Sequence, residues 1–404
     1  MRIYRAGWVL PITASPIRDG WVAVDNGVIR DVGQGTPPGS LDLGRTAVLP
    51  SLVNAHTHLE LSYLRGMVEP ADRFLDWIRA LIAARRRYAD PRDSTILAAA
   101  QRAIHEARAT GTGLIGDVSN TLVTAPLLQQ SGMPGRLFYE LLGFNSSDPS
   151  SDVGKARASA DEAQRAATAV RLSLAAHAPY SVSPGLFAAI RVDLDAHAGD
   201  VSTVHLGEST EESEFLEHGR GGWRDLLQEL GVWTDSWHAP GTSPVTYLAE
   251  MGFLDSHVIA VHAVQCSGDD LVRLKSLGTP VVSCPRSNRH VGVGDPPLEA
   301  FYAMGLSVAL GTDSLASVDD LNMFRELAAA RKLAPRVPAR DLLESATLCG
   351  ANALGFGDSF GSIDAGKRAS LIAVRVPDHV GDVEEYLVSG LEPDAISWLD
   401  ATGV

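Results

Sequence analysis

Short apolar runs alternate with amphipathic segments through the middle of the chain. The runs have the length of buried strands, and the segments between them are patterned as helices. The runs are Val48 to Val53, Leu114 to Val118, Leu137 to Leu142, Leu172 to Ala176, Val201 to Val204, Val258 to Val261, Val281 to Cys284 and Val308 to Leu310. The helical segments include Thr95 to Arg108, Ser159 to Val170, Glu211 to His218 and Asp269 to Leu277. This alternation predicts a parallel α/β sheet, and eight units over roughly 300 residues favour a (β/α)8 TIM-like barrel.

Both ends of the chain carry β patterns of their own. Near the N-terminus, apolar residues flank Asn26-Gly27, a pair that tolerates positive φ and is typical of a tight hairpin turn. Near the C-terminus, the apolar stretch Ala369 to Val376 follows a turn-rich segment. The two ends flank one long middle, so we predict a small discontinuous β domain built from both termini.

The composition is that of a globular protein with an acidic surface. Apolar residues make up 45% and charged residues 21% of the 404 residues, which does not indicate disorder. The formal net charge of −15 disfavours binding to nucleic acid or to an anionic membrane surface, because both need clustered Lys and Arg. We find no signal peptide and no apolar run of about 18 residues that would span a membrane. Three scattered cysteines favour free thiols over a disulfide, so we expect a cytoplasmic protein.

Polar residues with metal-binding side chains stand at the ends of five predicted strands. They are His56 and His58 after the first strand, His177 after the fourth, His205 after the fifth, His262 after the sixth and Asp313 after the eighth. Side chains alternate along a strand, so the two histidines of the first pair point the same way. Any one of these residues could be an ordinary buried or loop residue. Together they favour a metal-dependent active site at the barrel mouth, where catalytic residues collect.

Glu208 lies just beyond the fifth predicted strand, three residues after His205. A carboxylate beside a metal centre can carry a proton from water to a leaving group. The alternative is that Glu208 caps the helix that begins near Ser209, but Ser209 is itself the better cap. We therefore predict that Glu208 is a catalytic proton carrier.

Several motifs occur in a characteristic order along nearly the whole chain. They are Pro50-Ser-Leu-Val-Asn-Ala-His-Thr-His58, His177-Ala-Pro-Tyr180, His205-Leu-Gly-Glu208, His262, Ser283-Cys-Pro-Arg-Ser-Asn288, Leu310-Gly-Thr-Asp313 and, in the tail, Gly350-Ala-Asn-Ala-Leu-Gly355 with Gly361-Ser-Ile-Asp-Ala-Gly-Lys367. In this order they resemble the amidohydrolase superfamily, in its deaminase and chlorohydrolase branch. One departure is Ser370, where the family usually has Asp.

The resemblance implies a barrel with an appended β-sandwich domain and a single bound metal. The expected boundaries are 49–357 for the barrel and 1–48 with 358–404 for the sandwich. The implied ligands of one divalent metal, zinc or iron, are His56, His58, His205 and Asp313. Many superfamily members hold two metals through a carboxylated Lys at the end of the fourth strand. This chain has Ala176-His177-Ala178 there, which favours one metal.

The resemblance also implies the roles of three catalytic residues. Glu208 is the proton shuttle, His262 polarises or orients the attacking water, and Asp313 accepts a proton from that water. This chemistry removes the amino group of a nitrogen heterocycle as ammonia. One alternative is a hydrolase that expels chloride or an alkylamine from an s-triazine, and another is an inactive barrel kept as a binding protein. Glu208 favours the deaminase, because ammonia needs a proton to leave and chloride does not, and the complete ligand set favours an active enzyme.

The segment after the first strand bears on the substrate. It reads His56-Thr-His-Leu-Glu-Leu-Ser62, which would place Glu60 and Ser62 at the mouth. Together with His205-Leu-Gly-Glu-Ser-Thr-Glu-Glu212, this run resembles the aminodeoxyfutalosine deaminases of menaquinone biosynthesis. Their substrate, 6-amino-6-deoxyfutalosine, is an adenine nucleoside that carries a benzoate on its 5′ side. S-adenosylhomocysteine, methylthioadenosine and adenosine stay open as alternatives, because they differ from it only at the 5′ end.

A substrate of this kind needs partners for its sugar and its carboxylate. His177 is the candidate for the sugar, and Asn288 is a further candidate for substrate binding. Arg286, Arg289 or Arg220 could pair with the carboxylate, because a guanidinium fork matches it bidentately. The alternative for these arginines is a salt bridge within their own loops. The sequence leaves open whether the chain forms a homodimer.

Overall fold

The computed structural model describes residues 1–399. The strands are β1 (Arg2–Val9), β2 (Ile17–Asp25), β3 (Val28–Gln34), β4 (Leu41–Asp42), β5 (Thr46–Pro50), β6 (Leu52–Thr57), β7 (Thr112–Ser119), β8 (Gly135–Leu141), β9 (Val170–Ala176), β10 (Ser202–Leu206), β11 (Val258–His262), β12 (Val281–Ser283), β13 (Val308–Leu310), β14 (Leu371–Arg375) and β15 (Ile396–Trp398). They form two four-stranded sheets in the middle of the chain and one seven-stranded sheet from its two ends.

Helices follow most of the central strands. They are α1 (Phe74–Arg85), α2 (Ser94–Ala109), α3 (Ala125–Ser131), α4 (Pro149–Ala166), α5 (Pro184–Ala196), α6 (Thr210–His218), α7 (Gly222–Glu229), α8 (Pro244–Glu250), α9 (Gly268–Leu277), α10 (Pro285–His290), α11 (Leu298–Met304), α12 (Met323–Leu333), α13 (Ala339–Ser345), α14 (Leu348–Ala353) and α15 (Val383–Leu387), with 3-10 turns at Leu59–Leu64 and Pro393–Ala395. Within residues 1–399, no helix has both the length and the apolar character needed to cross a bilayer.

The central strands pair in chain order and in parallel. Strands β6 to β9 make one sheet and β10 to β13 the other. The sheets approach each other at both edges, where the His205 N–H donates to the His177 carbonyl (2.9 Å) and the Asp313 N–H donates to the His56 carbonyl (3.0 Å). The predicted parallel α/β fold is confirmed, and the carboxyl ends of the eight strands face the same side.

The third sheet combines the two ends of the chain. Its order is β15-β14-β5-β1-β2-β3, and β4 pairs with β1. Strand β14 lies antiparallel to β5, with Leu371 opposite Pro50. The two-layer sandwich and the boundaries 1–48, 49–357 and 358–404 stay predictions, and residues 400–404 of the small domain lie outside the described residues.

The apolar run from Val48 to Val53, predicted as one strand, is divided between two sheets. Strand β5 ends at Pro50, and β6 begins at Leu52. At the crossing, the Ser51 N–H donates to the Ser370 carbonyl (2.8 Å), and the two hydroxyls lie 2.7 Å apart. A Cβ at Gly113 would lie only 2.1 Å from Ser51 Oγ, so the close approach requires glycine. Strand β6 is buried throughout and β5 from Ala47 onwards, which is why hydropathy alone does not divide them.

Candidate active site

Three histidines and one aspartate meet at the carboxyl ends of strands from both central sheets. A ligand nitrogen from each of His56, His58 and His205 lies within 4.8 Å of the other two. Asp313 Oδ1 faces the pair at the end of β6, at 3.8 Å from His56 Nε2 and 3.6 Å from Nε2 of His58, the residue that follows the strand. The structure thus brings together the four residues that the sequence picks out as metal ligands.

The chemistry of this cluster fits a divalent metal. His56 is buried, and its Nε2 has no hydrogen-bond partner, which is costly unless a ligand satisfies it. Burial and the neighbouring imidazoles lower the pKa of His56 and His58 well below the usual value. Burial also lowers the pKa of His205 to about 4. Neutral imidazoles beside a carboxylate are the form in which these side chains bind metal.

The backbone is strained at two of the strand ends. Asp313 has φ 62° and His262 has φ 76°, a region that non-glycine residues rarely occupy and that costs on the order of 1–3 kcal/mol each. Hydrogen bonds hold Asp313 in place: the Ser314 N–H donates to Oδ1 (2.7 Å) and the Ser287 hydroxyl donates to Oδ2 (2.6 Å). In this conformation Oδ1 of Asp313 lies within 4 Å of the Nε2 atoms of His56 and His58.

Outer partners orient the ligand side chains. The His205 Nδ1–H donates to the His177 carbonyl (3.0 Å) and lies 3.4 Å from Glu140 Oε1, so its other nitrogen faces the cluster. Asp117, fully buried on β7, accepts hydrogen bonds from the Leu59 N–H (2.7 Å) and the Thr57 hydroxyl (3.3 Å). These two residues flank His58, so Asp117 fixes the end of β6. The sequence analysis missed Glu140 and Asp117, although both are acidic residues within apolar strands.

Glu208 points into the same site from the end of β10. Its Oε1 lies 3.6 Å from His262 Nε2. Burial, with the negative charges of Asp313 and Glu212, raises the pKa of Glu208 well above its usual value. The helix α6 is capped by Ser209, whose hydroxyl accepts the Glu212 N–H (3.2 Å), and not by Glu208. The capping alternative for Glu208 is therefore wrong.

His262 is held from behind by Asn288. The Asn288 amide nitrogen and His262 Nδ1 lie 2.9 Å apart and form a hydrogen bond. Asn288 is fully buried and does not line the cavity described next. The structure therefore gives Asn288 a positioning contact, where the sequence analysis expected a substrate contact.

A cavity of about 400 Å³ opens over the cluster. His58, His205, Glu208, His262 and Asp313 form its polar floor. Its upper wall is largely apolar and includes Phe74, Trp77, Ile78, Leu81, Leu142 and Tyr180. His177, the predicted sugar contact, lines it too. A small polar floor under apolar walls is typical of a site for a small organic molecule.

Three predicted substrate contacts lie away from this cavity. Glu60 and Ser62 are buried in the 3-10 turn that begins at Leu59, so the alternation of the strand does not extend to them. Arg286 donates to Glu326 (2.6 Å) and Asp320 (2.9 Å) instead of facing the site.

The two other arginine candidates lie on the surface. Arg289 donates to Asp295 (2.7 Å), and Arg220 lies 3.4 Å from Glu214. The cation that lines the cavity is Arg85, at the end of α1, which the sequence analysis missed. None of the sequence motifs includes residues of α1, so motif spacing did not identify Arg85.

Comparison with known proteins places this arrangement in a family. The profile of the amidohydrolase family matches residues 47–391. An aminodeoxyfutalosine deaminase of Deinococcus radiodurans is 32% identical over 320 residues, covering 76% of this chain and 73% of the relative. A 5-methylthioadenosine/S-adenosylhomocysteine deaminase of Teredinibacter turnerae is 30% identical over 346 residues, covering 82% of this chain and 72% of the relative. The crystal structure of an adenosine deaminase from Xanthomonas campestris with bound zinc superposes with a TM-score of 0.82 at 27% identity, covering 98% of this chain and 90% of that chain. The chain belongs to the amidohydrolase family.

Proposed function

We propose that the protein is a hydrolytic deaminase of adenosine-type nucleosides and that its substrate is 6-amino-6-deoxyfutalosine. The observation that carries the proposal is the position of Glu208, buried beside His262 and on the floor that holds the histidines and Asp313. Deamination needs a proton donor there, because an amino group leaves as ammonia. The deaminase activity named for the Deinococcus and Teredinibacter relatives supports the reaction class.

We assign one divalent metal, zinc with iron as the alternative, to His56, His58, His205 and Asp313. The unpartnered His56 Nε2 and the neutral imidazoles support this assignment, as does the zinc bound in the Xanthomonas structure. A divalent metal in such a site lowers the pKa of a coordinated water towards neutrality.

Side chains of this protein transfer the protons that the proposed deamination requires. Glu208 gives a proton to the ring nitrogen next to the amino-bearing carbon, so that this carbon accepts water. His262 orients the water from the side opposite its contact with Asn288. Asp313 takes a proton from the water, while the Ser287 hydroxyl holds its second oxygen. The proton held by Asp313 then passes to the amino group, which leaves as ammonia as its C–N bond breaks. The hydroxyl added to that carbon returns a proton to Glu208, and the base becomes a hypoxanthine.

A comparison of four nucleosides tests the proposal. The purified, metal-loaded protein is assayed for ammonia release and loss of the adenine absorbance with 6-amino-6-deoxyfutalosine, S-adenosylhomocysteine, methylthioadenosine and adenosine. We expect the highest kcat/KM with 6-amino-6-deoxyfutalosine. Absence of ammonia with all four would refute the deaminase. A preference for methylthioadenosine or S-adenosylhomocysteine would favour the second candidate, which the Teredinibacter relative supports.

We also propose that the eight parallel strands close into one (β/α)8 barrel, residues 49–357. The two hydrogen bonds that join the sheet edges, from His205 to His177 and from Asp313 to His56, support closure. Closure would bring all the site residues to one mouth, as the metal assignment requires.

A further inference from the structure

We propose that Arg85 and an apolar side cavity form a subsite for a 5′ substituent that carries a carboxylate on an apolar arm. The inference rests on the proposed nucleoside deamination and identifies which 5′ group the site selects. Neither the side cavity nor Arg85 follows from the motifs in the sequence.

The side cavity adjoins the main cavity and is lined by none of the catalytic-floor residues. It measures about 380 Å³ and shares Ile78, Leu81, Arg85, Leu142, His177 and Tyr180 with the main cavity. Its further walls are largely apolar and include Phe144, Trp223, Leu226, Leu227 and Val232, with Asn145 and Ser181 as polar members. The Trp223 ring stacks on the Tyr180 ring with centroids 3.6 Å apart, so the two aromatic side chains form one planar, packed surface. Such a space suits an aryl or alkyl arm.

The catalytic floor fixes which end of a nucleoside enters the side cavity. Glu208 and His262 must meet the purine edge that carries the amino group. The sugar and its 5′ substituent then extend towards Arg85 and His177, whose ring centroid lies 5.0 Å from that of His205. His177 lines both cavities, so it stands where the sugar would pass from one to the other.

Arg85 is the one Lys or Arg, among the described residues, that lines either cavity. Its side chain is 38% exposed, its Nη2 donates a long hydrogen bond to the Asn120 amide oxygen (3.4 Å), and its nearest acidic neighbour is Glu60, at 3.8 Å. Glu60 is already satisfied by other donors: it accepts from the Ser119 hydroxyl (2.6 Å), the Asn120 N–H (3.0 Å) and the Thr121 hydroxyl (2.5 Å). The guanidinium therefore keeps N–H donors for a ligand, and its planar fork matches a carboxylate.

Arg85 is the cationic side chain that the main cavity offers to a carboxylate. Apart from Tyr180, the other ionisable side chains in its lining are histidines and the acidic Glu140, Glu208 and Asp313. An amino-acid arm would place its ammonium against apolar walls at a desolvation cost. A neutral methylthio arm would gain nothing from the guanidinium. The subsite therefore selects an apolar arm that ends in a carboxylate.

The experiment compares substrates in the metal-loaded enzyme. We measure kcat/KM for 6-amino-6-deoxyfutalosine and for methylthioadenosine in Arg85→Met, Arg85→Lys and, as a matched control, Arg86→Met, which removes an exposed charge one residue away. We expect the ratio of the two values to fall about 10- to 100-fold in Arg85→Met, because a charge-assisted pair is lost. Arg85→Lys recovers part of the ratio, and Arg86→Met leaves it unchanged.

A second variant tests the side cavity. Leu230 lines it and is 38% exposed, so Leu230→Trp narrows the space without replacing a fully buried side chain. We expect KM for 6-amino-6-deoxyfutalosine to rise several-fold, with a smaller change for methylthioadenosine. If Arg85→Met or Leu230→Trp leaves the ratio within about twofold of wild type, the subsite is wrong. If the wild type releases no ammonia from either nucleoside, the proposed function itself fails.

Discussion

Replacing Glu208 by glutamine tests the proton-carrying role at a small structural cost. The side chain is buried on the cavity floor, and its Oε1 lies 3.6 Å from His262 Nε2. Glutamine has the same size and can keep this contact, but it has no proton to give. Capping of α6 is unaffected, because the cap is the hydroxyl of Ser209. We expect the free energy of unfolding to change by less than about 1 kcal/mol.

The expected loss of activity is large by comparison. General acid–base catalysis contributes about 10²- to 10⁴-fold to a rate, which corresponds to roughly 3–5 kcal/mol of activation free energy. We therefore expect kcat for ammonia release by Glu208→Gln to fall by that factor, with the metal content unchanged. The assay is steady-state ammonia release together with elemental analysis of the same sample.

The neighbouring Glu211→Gln serves as the matched control, since Glu211 does not line the cavity. It should stay close to wild type in both activity and metal content. A Glu208→Gln enzyme within about threefold of wild type would refute the assigned role. Loss of metal in that variant would instead make Glu208 a structural support of the cluster.

Three further predictions concern the metal, the end of β6 and the crossing between sheets. We expect about one metal ion per chain by elemental analysis, and none in a protein that carries both His56→Ala and His58→Ala; about two ions per wild-type chain would contradict the assignment. Burial raises the pKa of Asp117 to about 7, so the folded state binds that proton more tightly than the unfolded chain and loses its contribution as the pH rises through 7. In urea titrations, the stability of wild type relative to Asp117→Asn should therefore be greater at pH 5 than at pH 8, and the reverse order would disprove the shift. Ser370→Ala removes the hydroxyl contact with Ser51 and should lower the free energy of unfolding by about 1 kcal/mol, with no change in kcat; a change in kcat without a loss of stability would contradict it.

The sequence was most informative where a polar residue interrupts an apolar strand. Metal-binding side chains are rare at such positions, so His56, His205 and Asp313 indicated a metal site when taken together, because parallel strands bring their ends to one side. The parallel α/β fold followed from the same periodicity. This reasoning uses only the position of a residue within its own strand.

Contacts that depend on how the chain turns after a strand were harder to predict. The alternation that pointed to Glu60 and Ser62 stops where the 3-10 turn begins. Arg286 lies in a quoted motif, yet two acidic residues from a later segment pair with it. Arg85 reaches the cavity through the orientation of α1, which no local spacing specifies. In each case a tertiary contact decides the outcome.

The pairing of β14 with β5 sets the order in which the protein can be completed on the ribosome. Strand β5 leads directly into β6, which carries His56, yet its partner β14 is synthesised about 320 residues later. Translation at about 5–20 residues per second leaves this edge of β5 open for roughly tens of seconds. An unpaired strand edge that is buried in the folded protein can pair with strands of other chains. The nascent chain must therefore keep that edge shielded until β14 emerges.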